Sequence, residues 1–166
     1  MCGIVGYVGM RSAQQVLLDG LEKLEYRGYD SAGVALTQRD GIRVVKSKGR
    51  LSTLRSKLEE LALPQSGCGI GHTRWATHGE PSDVNSHPHS TPRVSIVHNG
   101  IIENYGALKE RLVAKGYTFT SETDTEVAAH LLSREVEAGA TLIEAMRKVV
   151  VQLEGAFTLV AVDALD

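Results

Sequence analysis

The order of short apolar runs and turn signals constrains the fold of this 166-residue chain more than any other feature. Asp40-Gly41 predicts a two-residue hairpin between strands at 34–36 and 42–46. Strands joined by hairpins favour antiparallel sheets, whereas regular alternation of strands and helices would favour a parallel sheet. Helical patterns here arrive in blocks. We therefore predict a single α+β domain, residues 1–166, in which antiparallel sheets and helices form a sandwich.

Strands and helices are placed by apolar periodicity and by cap signals. Further strands are predicted at 4–8, 68–73, 94–98, 117–119 and 157–162. One helix is predicted around Leu108 and Leu112, ending at Gly116, and another begins at the cap Ser52. Three more helices are predicted to begin with capping boxes, in the pairs Ser12/Gln15, Thr123/Glu126 and Thr141/Glu144. Residues 74–93 lack periodicity, and a loop of that length in a compact domain is usually functional.

Composition and charge exclude several classes of protein. Apolar residues make up 42% of the chain and charged residues 23%, with a formal net charge of −2. This balance gives no reason to expect a nucleic acid or an anionic membrane as partner. Only two cysteines, Cys2 and Cys68, are present, which fits a reducing compartment. No signal peptide and no apolar run of about 20 residues is visible. We expect a cytoplasmic protein.

The N-terminal segment Met1-Cys2-Gly3 has the features of a catalytic terminus. If Met1 is removed, Cys2 carries a thiol and a free α-amine on one residue. A terminal amine has an ordinary pKa of about 7.7–8.0, so near neutral pH part of it is free base. One residue could then supply both nucleophile and general base. The alternative is an ordinary strand with a small buried cysteine.

Three other positions could complete such a site. Asn99-Gly100 offers a side-chain amide and an unobstructed backbone N–H for an oxyanion, although Asn-Gly is also a common turn. Arg74 could hold a carboxylate in a bidentate fork. Asp124 could receive an ammonium group, although acids are common in the first turn of a helix. Together, Arg74 and Asp124 would recognise the head group of an amino acid.

Five of the six histidines fall between positions 72 and 98. A metal site is one interpretation, because imidazole is a common zinc ligand. However, His87 and His89 form the only tight pair, and the segment around them is broken by prolines. A loop held by hydrogen bonds explains the pattern equally well, and we predict neither a metal nor a cofactor.

Six motifs in order along the chain resemble one family. They are CGIVG (2–6), RGYDSAG (27–33), GHTRWATHGEPS (71–82), NSHPH (85–89), HNGIIEN (98–104) and SETDTE (121–126). The sequence is similar to the N-terminal glutaminase domain of glucosamine-6-phosphate synthases. These are class II glutamine amidotransferases of the N-terminal-nucleophile hydrolase superfamily. RGYDSAG and Trp75-Ala76-Thr77-His78-Gly79 favour this branch over the amidophosphoribosyltransferases, which remain the alternative.

The resemblance implies a four-layer αββα sandwich and a role for each site residue. Cys2 would be the nucleophile, and Asn99 with the Gly100 N–H would form the oxyanion hole. Asp124 would bind the glutamine α-ammonium. Arg74 would bind the glutamine α-carboxylate, helped by Thr77 and His78. Trp75 would lie on the loop that closes over bound glutamine. Arg27 would support the chain near Cys2.

The implied reaction is hydrolysis of the L-glutamine side-chain amide through a γ-glutamyl thioester on Cys2. In a full-length synthase the released ammonia would convert fructose 6-phosphate into glucosamine 6-phosphate on C-terminal isomerase domains. Two rivals remain open at this point: a glutamine sensor with the fold but no turnover, and a metal hydrolase.

Overall fold

The computed structural model describes residues 2–75 and 79–165, with only the backbone of Arg27. Within these residues there are five α-helices, seven strands and one short 3₁₀ helix, Glu25–Arg27. The strands are β1 (Gly3–Val8), β2 (Ser31–Gln38), β3 (Gly41–Lys48), β4 (Cys68–Arg74), β5 (His89–Ser90), β6 (Val94–Gly100) and β7 (Phe157–Asp163). The helices are α1 (Ala13–Glu22), α2 (Leu51–Leu61), α3 (Tyr105–Val113), α4 (Thr125–Glu137) and α5 (Leu142–Val150).

The strands form two antiparallel sheets. The first sheet has the order β1-β4-β2-β3 and the second has the order β5-β6-β7. The predicted hairpin joins β2 to β3, with Gln38 opposite Gly41. Both sheets are antiparallel throughout. The predicted α+β class and the hairpin at Asp40-Gly41 are therefore confirmed.

Three apolar clusters separate four layers of structure. Leu17, Leu21 and Leu54 of helices α1 and α2 pack on the first sheet. A smaller cluster, which includes Ile70 and Val97, lies between the two sheets. Helices α3, α4 and α5 cover the other face of the second sheet in the largest cluster. Since each sheet is buried on both faces, the molecule is the predicted αββα sandwich.

The cap predictions are confirmed at one helix and wrong at two. At α5, Thr141 Oγ1 accepts from Glu144 N at 3.3 Å and the box is complete. At α1, Ser12 occupies the cap position but its side chain makes no cap bond, and Gln15 bonds to Asp19 instead. At α4 the cap position is occupied by Asp124 and not by Thr123, so the helix begins one residue later than predicted.

Three further predictions about local structure are corrected. Helix α2 begins at Leu51 with Arg50 as its cap, so Ser52 lies inside the first turn. Residues 117–119 form no strand, and Phe119 packs instead against the cluster beneath α4. The described part of the predicted polar loop is not structureless, since residues 85–89 are buried and β5 begins at His89. No described helix has the length and apolarity needed to cross a membrane.

Candidate active site

Cys2 lies at the end of the edge strand β1 and contacts the segment that leaves β4. Gly3 is paired with Thr73, so Cys2 comes beside the last residues of that strand. The backbone N–H of Trp75 donates to Cys2 Sγ at 3.3 Å, and Sγ is 3.7 Å from the Trp75 carbonyl oxygen. The thiol is half-buried. It is therefore held by backbone groups and remains partly open to solvent.

Two glycines allow the backbone to pack closely around Cys2. A Cβ on Gly3 would lie 2.7 Å from Leu24 Cβ, and one on Gly28 would lie 2.9 Å from the carbonyl carbon of Arg74. Neither neighbour can move aside easily, because one is a Cβ and the other is backbone. The glycines of the first and second motifs thus allow the segment after α1, the start of β1 and the end of β4 to lie close together near Cys2.

Asn99 comes from the second sheet and reaches across to the first. Its Nδ2 donates to the Cys2 carbonyl oxygen at 3.2 Å, and its Oδ1 is 3.0 Å from His72 Nε2. Gly100 has φ of +122° and is opposite Phe157 in the ladder. The Asn-Gly pair therefore ends strand β6 rather than forming a hairpin turn. The sequence alone allows either arrangement.

Asp124 caps α4 and bonds to the loop that follows β6. Its Oδ2 accepts from the Ile102 N–H at 2.8 Å, and its Oδ1 lies 3.7 Å from His98 Nδ1. Burial lowers the pKa of His98, and the charge of Asp124 acts in the opposite direction. This carboxylate therefore lies just beyond the strand that carries Asn99, with an oxygen turned toward the 98–104 motif.

Arg74 is the last residue of β4 and is buried, with 4% of its surface exposed. Its Nη2 donates to the Gly79 carbonyl oxygen at 3.1 Å. The guanidinium therefore connects the end of β4 to the chain beyond residue 78. Thr77 and His78 lie outside the described residues, as does the side chain of Arg27.

Trp75 is about half exposed, at 49%, on the surface next to Cys2. Its indole packs edge-on against Tyr29, with ring centroids 5.7 Å apart. Tyr29 belongs to the RGYDSAG motif, so two of the six motifs meet above the thiol. A large aromatic surface is thereby presented to solvent at the entrance of the site.

Four of the clustered histidines are buried, and their imidazole rings pack against one another. His72 stacks on His87 with centroids 4.2 Å apart, and His87 meets His89 edge-on at 4.8 Å. Burial lowers the pKa of His72 to about 4 and that of His89 to about 3. It also places the pKa of His87 well below the ordinary value. Across residues 2–75 and 79–165, no group of three His, Cys, Asp or Glu side chains is arranged to hold a metal ion.

Glu126 does not complete a capping box but binds the turn before α4. Its carboxylate accepts from Thr120 N at 2.9 Å, Ser121 N at 2.7 Å and Ser121 Oγ at 2.6 Å. Burial alone would raise the pKa of Glu126, but these bonds and His130 at 3.8 Å more than offset it. The pKa is held well below its ordinary range. Glu126 therefore fixes the turn that presents Asp124.

Known proteins share the sequence and the fold of this chain. A family model described as a glutamine amidotransferase domain matches residues 72–166, more than half of the chain. The chain belongs to the glutamine amidotransferase family. The matched region contains Arg74, Asn99, Gly100 and Asp124, and it begins at the histidine that contacts Asn99.

This amidotransferase chain is similar over nearly its whole length to glutamine–fructose-6-phosphate aminotransferases (isomerizing). It is 58% identical to that of Streptomyces coelicolor and 52% identical to that of Escherichia coli, and each match covers 99% of this chain. The chain spans 27% of the length of each of these relatives. The predicted family and branch are confirmed by these similarities.

The fold of the amidotransferase chain is shared with a more distant solved structure. Glutamine phosphoribosylpyrophosphate amidotransferase from B. subtilis superposes with a TM-score of 0.82 at 28% identity. That match covers 99% of this chain and 35% of the other. Because identity falls from 58% to 28%, the phosphoribosyl branch is a structural neighbour, and the alternative drawn from it has the weaker support.

Proposed function

We propose that this chain, residues 1–166, is a glutaminase domain that hydrolyses L-glutamine with Cys2 as its nucleophile. The observation that carries the proposal is the contact that Asn99 of the second sheet makes with the backbone of Cys2. Asn99 Nδ2 lies 3.2 Å from the carbonyl oxygen of Cys2 itself. Acyl transfer from an amide requires a nucleophile and a hydrogen-bond donor for the oxyanion, and Cys2 and Asn99 would supply these two groups side by side.

The chemistry follows from the groups around Cys2. With Met1 removed, the α-amine takes the thiol proton while Sγ attacks the amide carbon of glutamine. The carbonyl oxygen becomes an oxyanion, which accepts from Asn99 Nδ2 and the Gly100 N–H. The amine returns the proton to the departing nitrogen, and ammonia leaves a γ-glutamyl thioester. Water then attacks the thioester, which releases glutamate and restores the thiol.

The two charged groups on the α-carbon of glutamine would each meet an opposite charge near this centre. Arg74 at the end of β4 suits the α-carboxylate, since a guanidinium binds a carboxylate through two parallel bonds. The neighbouring residues Thr77 and His78 would assist it. Asp124 suits the α-ammonium, because it lies beyond the strand that carries Asn99. Trp75 would cover bound substrate, and Arg27 would support the chain near the thiol.

The larger reaction is a proposal that rests on the relatives. Their name states that they transfer an amino group from glutamine to fructose 6-phosphate. They are nearly four times as long as this chain. We propose that ammonia from Cys2 serves the same transfer, giving glucosamine 6-phosphate on C-terminal isomerase domains. The work would take place in the cytoplasm, without a cofactor, a nucleic acid or a membrane.

The test compares the two cysteines. The chain is purified, its mass is measured to establish whether Met1 is absent, and glutamate and ammonia are assayed with L-glutamine. Cys2→Ser should lower kcat by at least about 10³-fold, because the nucleophile is lost. Cys68→Ser is the matched control, since Cys68 is also a half-buried free thiol but lies in β4. It should keep kcat.

The outcomes separate the proposal from its rivals. A glutamine sensor would bind glutamine without releasing ammonia in the parent chain. A metal hydrolase would lose activity in chelator and keep it in Cys2→Ser. Full activity in a sample that retains Met1 would refute the α-amine as base while leaving Cys2 as nucleophile.

A further inference from the structure

We propose that His72 is a positioning residue for the oxyanion hole, which it serves by fixing the orientation of the Asn99 carboxamide. This inference rests on the proposed function, because it concerns how Asn99 performs the role assigned to it there. His72 lies on the central strand β4 of the first sheet, and Asn99 lies on β6 of the second. The contact between them is therefore made across the interior of the sandwich.

The tautomer of His72 follows from its two neighbours. Its Nε2 lies 3.0 Å from the His98 carbonyl oxygen and 3.0 Å from Asn99 Oδ1. A backbone carbonyl oxygen can only accept, so Nε2 must carry the hydrogen. The His98 carbonyl thus determines that His72 presents a donor at this point, and the single Nε2–H is shared between the two oxygens.

The donor on His72 in turn determines which way Asn99 faces. An Nε2–H cannot bond to an NH₂ group, so the oxygen of the carboxamide must face His72. The nitrogen must then face Cys2, where it donates to the Cys2 carbonyl oxygen at 3.2 Å. An Asn99 Nδ2 carries two hydrogens, and this bond uses one of them. The other is available for the oxyanion of the reaction.

Burial makes this arrangement firm. His72 is 1% exposed and stacks on His87, so its ring has no room to turn away. A bond made in such an interior is electrostatically stronger than one in water. A flipped carboxamide would point its oxygen at the developing negative charge, which would repel it. His72 therefore keeps the amide in the orientation that catalysis needs before substrate arrives.

The proposal makes a prediction about kinetics that a purely structural role does not. The oxyanion is absent from bound glutamine and develops only as Sγ attacks, so loss of positioning should lower kcat and leave the KM for glutamine unchanged. His72→Leu should lower kcat about five- to tenfold, because this factor corresponds to the net free energy of one hydrogen bond. His72→Gln can place an amide N–H near the position of Nε2, and should keep kcat within about threefold of the parent.

A double-substitution cycle tests whether His72 acts through Asn99. Asn99→Ala removes the donor itself and should lower kcat about 10²–10³-fold. Adding His72→Leu to Asn99→Ala should cause no further loss beyond about twofold, since there is no amide left to orient. His89→Leu is the matched control, because His89 is equally buried and its ring packs on His87 and not on His72. It removes another buried histidine of the same cluster, and should lower Tm without lowering kcat by more than about threefold.

A binding measurement gives a readout that does not depend on turnover. L-Glutamate γ-semialdehyde can add the Cys2 thiol to its aldehyde, forming a C–S bond and placing the oxygen where the oxyanion would lie. Its affinity should fall in His72→Leu by the same factor as kcat. The affinity of L-glutamate, which forms no such adduct, should be unchanged.

Each outcome supports or overturns the inference. Equal losses of kcat in His72→Leu and His89→Leu would show that packing is responsible, and would overturn it. So would losses that add fully in the double variant, or an inactive His72→Gln. Should Asn99→Ala keep full activity, the inference falls together with the role proposed for Asn99. Should Asn99→Ala lose activity while His72→Leu does not, the inference alone is wrong.

Discussion

Acid should destabilise this chain strongly between pH 7 and pH 5, because its interior holds neutral histidines. Burial holds the pKa of His72 at about 4 and that of His89 at about 3 in the folded chain. In the unfolded chain both return to about 6.5. Below pH 6.5 the unfolded state therefore binds protons that the folded state does not, and stability falls with falling pH.

The size of the effect follows from these values. At pH 5 each of the two histidines should lower the free energy of unfolding by about 2 kcal/mol, against about 0.2 kcal/mol at pH 7. The free energy of unfolding should therefore drop by about 4 kcal/mol over this range, a large part of the about 5–15 kcal/mol typical of a domain. The lowered pKa values of His87 and His98 act in the same direction. The loss should be complete only below the folded pKa values.

Urea unfolding followed by far-UV circular dichroism at several pH values measures this directly. The slope of the unfolding free energy against pH gives the number of protons taken up. His87→Leu should show a smaller slope than the parent, because one titrating group is gone. A free energy that changes by less than about 1 kcal/mol between pH 7 and pH 5 would refute the reasoning, since the buried imidazoles would then not resist protonation.

Two further predictions concern stability, each with a matched control. Gly100→Ala should destabilise the chain by at least about 2 kcal/mol, because φ is +122° and a Cβ would overlap the Ala156 carbonyl oxygen. Gly106→Ala in α3, where nothing lies within 4 Å, should instead be neutral or stabilise by about 0.5 kcal/mol, and a destabilising result there would contradict the distinction. Thr141→Ala should cost about 1 kcal/mol through loss of the α5 capping box, whereas Ser12→Ala at α1 should cost almost nothing; thermal unfolding checks both, and equal shifts in Tm would argue against it.

Local chemistry made much of the fold predictable. Asp40-Gly41 predicts the hairpin and the apolar runs predict most of the strands, because both structures depend on residues that are close together in the sequence. The cap at Thr123 was predicted wrongly for a physical reason. Its partner Glu126 is bonded to residues 120 and 121 instead, a choice decided by the tertiary path of the turn. Short-range patterns cannot distinguish these two uses of one carboxylate.

The candidate site was predictable in its parts and not in its assembly. Residue types and turn signals pointed to Cys2, Asn99, Arg74 and Asp124 separately, each with an ordinary alternative. What unites them is pairing between segments that are distant along the chain, such as Gly3 with Thr73. His72 gave no sequence signal of its own role, since the pattern of histidines suggested only a metal site or a hydrogen-bonded loop. Its function depends on facing Asn99 across the sandwich.

The division of the site between two sheets has a consequence for the small core between them. Cys2 directly precedes β1 of the first sheet, while Asn99, whose amide bonds to the Cys2 carbonyl oxygen, belongs to the second. Ile70 and Val97 fill the space that keeps these sheets apart. Any sliding or widening of that gap would change the distance from sulfur to oxyanion donor as well as the packing. Selection for activity should therefore act on the volume of these apolar side chains as well as on the residues of the site.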